Sequence, residues 1–143
     1  MAVYPKKIEL RAFTPRHAVV GADSAVCGRS ASFVCGCYVS FSLTTDQTKT
    51  SASFSSNGCG YIVAIADMLA ETVLEKGLFE LHGLDRGELT AEVVRKIGVL
   101  PAAREHCAEA CFEALRNAFA ALREHRIEEF RGEEALILSL IHI

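Results

Sequence analysis

No run of about 18 apolar residues occurs in this chain, so no membrane-spanning helix is expected. Basic residues are not in excess either. Fifteen Lys and Arg stand against eighteen Asp and Glu, for a formal charge of −3, and the footprint that binds a nucleic-acid backbone is missing. The N-terminal stretch MAVYPKKIELRAF has no apolar segment and no small-residue cleavage site. No secretory leader is therefore expected, and a cytoplasmic, reducing location is expected with it. The chain carries no Walker loop, no GxGxxG, no HExxH and no pair of CxxC motifs. The signatures of nucleotide binding, zinc proteolysis and zinc ribbons are absent with them. There is also no internal repeat and no low-complexity tract.

Cysteine, by contrast, is plentiful: six residues in 143. A chain of this length, half of it apolar, suits one domain with a real core. Reducing surroundings argue against a disulfide framework, so metal or redox chemistry is the better reading of so many thiols.

Hydrophobic periodicity gives the order of elements. Residues 4–12 suit a short helix with Tyr4, Ile8 and Leu10 as a partial apolar face, ended at Thr14-Pro15-Arg16 because the residue before proline avoids helical torsions. Residues 17–34 read as loop with one short strand near Ser24–Gly28. Residues 38–43 alternate, with Val39, Phe41 and Leu43 on one face, and 50–56 alternate with Ala52 and Phe54 inward. The polar turn at 46–49 joins them into a hairpin. A helix follows over 61–75, stopped at Gly77. Thr90 suits the cap of another helix, with Val93, Val94 and Ile97 as its apolar face and Gly98 as its end. Pro101 opens a last long helix whose stripe is Cys107, Cys111, Leu115, Ala118, Phe119 and Leu122. Helix, strands, then helices, without βαβ alternation, indicate an α+β domain: a small antiparallel sheet with helices packed on one face.

The cysteines fall at the ends of these elements. Cys35-Gly36-Cys37 sits where the first clear strand begins. Residues i and i+2 of a strand share a face and lie about 6.5–7 Å apart, close enough for two thiolates to hold one metal or cluster. Cys59 stands between Gly58 and Gly60 at a strand-to-helix turn. Glycine lets the backbone come close to a ligand, and the helix start offers N–H groups and a positive dipole end that favour a thiolate. Cys107 heads the buried stripe of the last helix, and His106 beside it adds a metal ligand or proton carrier. Cys111, one turn on, reads as core. For Cys27, a spare thiol near the site and a plain buried residue both remain open. His17, His82, His125 and His142 have no ligand spacing and read as surface groups.

Three ordered motifs then resemble the U-type iron–sulfur assembly scaffolds, the IscU/NifU N-terminal family. Tyr4, Ile8 and Pro15-Arg16 resemble its N-terminal helix. Cys35-Gly36 matches its Cys-Gly-Asp motif, Gly58-Cys59-Gly60 its second motif, and Leu100-Pro101-Ala102-Ala103-Arg104-Glu105-His106-Cys107 its Leu-Pro-Pro-x-Lys-x-His-Cys motif. The resemblance implies a three-stranded antiparallel sheet with helices on one side. It implies a non-enzymatic scaffold that builds a [2Fe–2S] cluster on cysteines gathered at one exposed end and passes it to acceptor apoproteins. A cysteine desulfurase would supply sulfur, and zinc would occupy the cluster-free site. Leu100, Pro101 and Arg104 fall in the stretch that docks an Hsp70-type chaperone in the family.

Cys37 stands where the family has aspartate, so Cys35, Cys37, Cys59 and Cys107 form an all-thiolate set, with His106 beside it. Such a set is expected to hold its cluster more firmly, as a carrier would. Arg104 replaces the family lysine, and Ala102 the second proline. The family-like domain is expected over residues 1–130, with 131–143 a C-terminal tail outside it. Two other readings compete: a zinc-bound sulfur acceptor of the SufU branch, against which His106 and the spacing from Cys59 to Cys107 weigh, and a thiol redox protein cycling a Cys35–Cys37 pair.

Overall fold

The computed structural model describes residues 6–16, 18, 26–31, 36–45, 50–76 and 85–141. Helix α1 (Lys6–Phe13) is followed by strands β1 (Val26–Ala31), β2 (Tyr38–Thr45) and β3 (Thr50–Ser56). Helices α2 (Gly60–Lys76), α3 (Arg86–Ile97) and α4 (Glu105–Ile141) complete the order, with a 3₁₀ turn over Ala102–Arg104 ahead of α4. The strands form one antiparallel sheet in the order β1-β2-β3. The expected α+β architecture is present, and the predicted hairpin of β2 and β3 pairs Phe41 with Phe54.

Alternation decides which face of the sheet is covered. Val39, Phe41, Leu43, Ala52 and Phe54 are buried, with each Val, Leu and Phe side chain contributing about 1.5–3 kcal/mol by leaving water. Helix α2 packs under β3, and α4 runs under β1 and β2. The intervening positions Ser42, Thr44, Ser53 and Ser55 face the other way. Cys27 belongs to that outer face: it is exposed, with Sγ 3.5 Å from Ser42 Oγ.

Strand β1 extends past the short strand expected near Ser24–Gly28, reaching Ala31. It packs through the lack of a side chain. A Cβ on Gly28 would lie 2.0 Å from Ala118 N and 2.4 Å from Ala114 O, so the backbone of α4 rests directly on the strand. That close approach sets the height at which α4, and therefore Cys107, meets the sheet.

The face expected for α1 needs correction. Ile8 is buried, but Leu10 is 59% exposed, because two residues along a helix turn about 200° away. Tyr4 lies outside the described residues. Arg11, three residues from Ile8 and on its side, instead fastens α1 to α2 through Asp67 (3.1 Å) and Glu71 (2.6 Å), while the Arg16 N–H donates to Asp67 (2.8 Å). Thr90 likewise does not cap α3. The cap is Asp85, whose carboxylate accepts from the Glu88 N–H (2.8 Å); Thr90 lies a turn inside and donates to Arg86 O. Leu89, Val93 and Ile97 form the buried face of α3, and Val94 is exposed. The Gly77 stop and the 46–49 turn lie outside the described residues.

Candidate functional site

Two chain segments converge where β3 gives way to α2. Ser56 ends β3, and its hydroxyl both donates to Tyr38 O (2.6 Å) and accepts from the Gly58 N–H (2.9 Å). Asn57 accepts the Tyr38 N–H on its side-chain oxygen (2.7 Å). Tyr38 follows Cys37 and Asn57 precedes Gly58-Cys59, so these bonds tie together the two stretches that carry Cys37 and Cys59. Sequence reasoning missed this junction. Its one visible signal was an Asx residue ahead of a glycine, which reads equally well as a simple strand breaker.

Cys37 does not stand within the strand as expected. β2 begins at Tyr38, and Gly36 has φ +71°, a left-handed torsion that interrupts any extended run through it. The strand rule for residues i and i+2 therefore does not apply to the CGC triplet. Cys37 is half-buried against the core. Cys35 lies outside the described residues.

Cys59 is half-buried at the mouth of α2, and its carbonyl accepts the Val63 N–H (3.1 Å). Its Sγ is 3.8 Å from Cys107 Sγ. Cys107, in the first turn of α4, is fully buried, and its Sγ is 3.5 Å from His106 Nε2. The Cys59 thiol is lowered from 9.0 to about 5. The hydrogen bond from Cys107 is the main cause, burial opposes it, and the backbone N–H groups of Ile62 and Tyr61 and the charge of Arg104 add to it. Cys59 is therefore a thiolate at neutral pH.

These distances suit a shared metal. Two sulfurs bound tetrahedrally to one ion at about 2.3 Å lie roughly 3.8 Å apart, and a sulfur and an imidazole nitrogen lie roughly 3.5 Å apart. Cys59–Cys107 and Cys107–His106 thus have the lengths of two edges of a tetrahedral site. Among the described residues no three His, Cys, Asp or Glu side chains close around one ion.

Cys111 takes no part. It is fully buried, its Sγ lies 3.7 Å from Ile62 O, and burial pushes its thiol far up, so it stays a neutral core residue as expected. Leu100 is half-buried against the core and Pro101 is exposed ahead of the 3₁₀ turn. Arg104 turns toward the cysteines, with Cζ 5.1 Å from the ring centroid of Tyr61, a residue that sequence reasoning did not single out.

Comparison with known proteins identifies the family. The family model described as "NifU-like N terminal domain" matches residues 3–129. The chain belongs to that family. Among solved structures, this NifU-like domain resembles a putative iron-sulfur cluster assembly scaffold protein for the SUF system from thermophilic Fervidobacterium islandicum AW-1. That match has a TM-score of 0.59 at 16% identity and covers 81% of this chain and 96% of the other. It also resembles the N-terminal part of a nitrogen-fixing NifU-like protein from Brucella abortus, with a TM-score of 0.58 at 16% identity, over 85% and 94% of the two chains. At such identities the likeness establishes a shared fold. No protein of curated function matches the chain. The family match stops at residue 129, whereas α4 continues to Ile141. No helix among the described residues is long and apolar enough to cross a membrane.

Proposed function

We propose that this NifU-like domain is an iron–sulfur cluster assembly scaffold or carrier, not an enzyme, acting in the cytoplasm. Its cargo is a [2Fe–2S] cluster held by the thiolates of Cys35, Cys37, Cys59 and Cys107, with His106 at the rim. The observation that carries the reading is the Cys59–Cys107 pair: two sulfurs 3.8 Å apart, brought together by the starts of two helices. Softness fits as well, since thiolate is the usual ligand of iron–sulfur units. Cys59, already ionised, needs no proton removed before it binds iron. A cysteine desulfurase supplies the sulfur and acceptor apoproteins receive the cluster. Pro101, exposed beside the half-buried Leu100, offers the stretch for an Hsp70-type chaperone.

The decisive experiment is anaerobic reconstitution with ferrous iron, cysteine, a cysteine desulfurase and excess dithiothreitol, which reduces the persulfide sulfur to sulfide, followed by iron and acid-labile sulfide analysis. Two irons and two sulfides per site with a brown absorption spectrum are expected. A second reading, a zinc-bound sulfur acceptor, draws on the tetrahedral edge lengths and on the SUF-system relative. A colourless protein that keeps one zinc and refuses iron would select it. In either case Cys37 in place of the family aspartate is expected to slow release, so Cys37→Asp should shorten the lifetime of the loaded protein. Equal lifetimes would remove Cys37 from the ligand set.

A further inference from the structure

The least expected member of the site is a cation. Arg104 stands three residues before Cys107, at the end of the 3₁₀ turn, and Tyr61 stands two residues after Cys59, in the first turn of α2. The guanidinium lies over the Tyr61 ring at 5.1 Å, and that ring is only 8% exposed. A cation stacked on a buried ring face is held in place by the ring quadrupole and loses little freedom on binding a further anion. The contact also links the element that carries Cys59 to the element that carries Cys107.

Among the described residues, what separates Arg104 from the other arginines is its stack on a ring two residues from Cys59; its lack of a carboxylate partner it shares with Arg16, Arg29 and Arg116. Arg11, Arg86 and Arg95 are each held by carboxylates: Asp67 and Glu71, Glu109, and Glu92 respectively. Among the described residues Arg104 makes no salt bridge. Its charge is left for whatever occupies the neighbouring cysteines, and it already acts on the Cys59 sulfur. In the family resemblance this position belongs to a chaperone-docking stretch. Here its guanidinium is engaged inward.

We propose that Arg104, anchored on Tyr61, is a specificity-determining residue that gives the Cys59 site a preference for anionic sulfur species over neutral ones. Hydrosulfide, a persulfide anion and an anionic iron–sulfur unit share the chemistry that a fixed guanidinium recognises. The inference builds on the scaffold reading, since it names the class of ligand delivered to the same cysteines.

The test compares two alkylating reagents on metal-free protein. Iodoacetate is an anion and iodoacetamide is neutral, and both consume the same Cys59 thiolate, so the ratio of their rates reports local charge and cancels the extent of ionisation. Rates at Cys59 are read by peptide mass spectrometry. Arg104→Met, which keeps the stem and removes the charge, is expected to lower the iodoacetate-to-iodoacetamide ratio about fivefold. Arg104→Lys is expected to keep most of it. On the unaltered protein, raising salt from about 0.01 M to 1 M should carry the ratio toward the Arg104→Met value. An unchanged ratio in Arg104→Met, an Arg104→Lys variant no better than Met, or a ratio indifferent to salt overturns the proposal. No cluster is needed for the measurement, so its outcome is separate from that of reconstitution.

Discussion

Cys107 and Cys111 stand one helical turn apart on the same stripe of α4, and both are sealed from solvent. Their surroundings make them different chemicals. Around Cys107 are polar partners: the Cys59 sulfur at 3.8 Å and the His106 ring at 3.5 Å. The Cys111 sulfur meets one helix carbonyl, Ile62 O, at 3.7 Å, and burial leaves its thiol protonated at any working pH. Burial alone does not make a cysteine inert or active. What decides is what the sulfur meets: Cys107 lies against the Cys59 thiolate, Cys111 against a helix carbonyl.

The comparison can be broken most severely at Cys107. Cys107→Ala is expected to abolish retention of iron or zinc, whereas Cys111→Ala should retain full metal content and lose about 1–2 kcal/mol of stability from the small cavity. Equal metal content in the two variants, measured by elemental analysis, would sink the division. Next comes the packing that brings α4 to the sheet. Gly28→Ala drives a Cβ into the backbone of Ala118 and should cost about 3 kcal/mol in urea unfolding, since backbone cannot rotate away as a side chain can. A loss under about 0.5 kcal/mol would mean that the helix rides higher than described.

A third measurement sharpens the contrast through pH. The thiolate is the reactive form, so alkylation of Cys59 should be nearly flat from pH 9 down to about 6. It should then fall tenfold per pH unit below about 5. In Cys107→Ala the main cause of the lowering is gone, and the profile should move up toward 9.0. Cys111 should remain unlabelled in the native protein throughout. A Cys59 profile unmoved by Cys107→Ala would assign the lowering to the helix start instead. The smallest effect is expected at Asn57→Ala, which frees the Tyr38 N–H and should cost about 1 kcal/mol. Faster hydrogen exchange at Tyr38 checks it.

Much of this molecule was legible in its residue order, for identifiable reasons. β2 and β3 alternate without interruption because one face is fully covered, and α2 repeats its apolar positions because it is buried along most of its length. The core placement of Cys111 was also readable, from its position within the stripe. β1 was mostly hidden, because Gly28 contributes to packing by lacking a side chain and no hydrophobic pattern records that. The CGC triplet misled because the alternation of β2 runs back smoothly toward it, while Gly36 turns the chain out of the strand. Thr90 and Asp85 both have capping side chains, and pattern alone could not rank them. The inward stack of Arg104 on Tyr61 depends on two segments far apart in sequence and left no local trace.

Gly36 carries one more consequence. Among the described residues nothing lies within 4 Å of where its Cβ would stand, so they do not forbid a side chain there; the torsion does. The requirement is one of handedness. An L-alanine at 36 would be strained, while a D-alanine introduced by chemical synthesis should sit comfortably in the same turn. The bend beside Cys37 is thus specified by chirality and not by crowding, which leaves open room next to a thiol proposed above to hold a bulky inorganic guest.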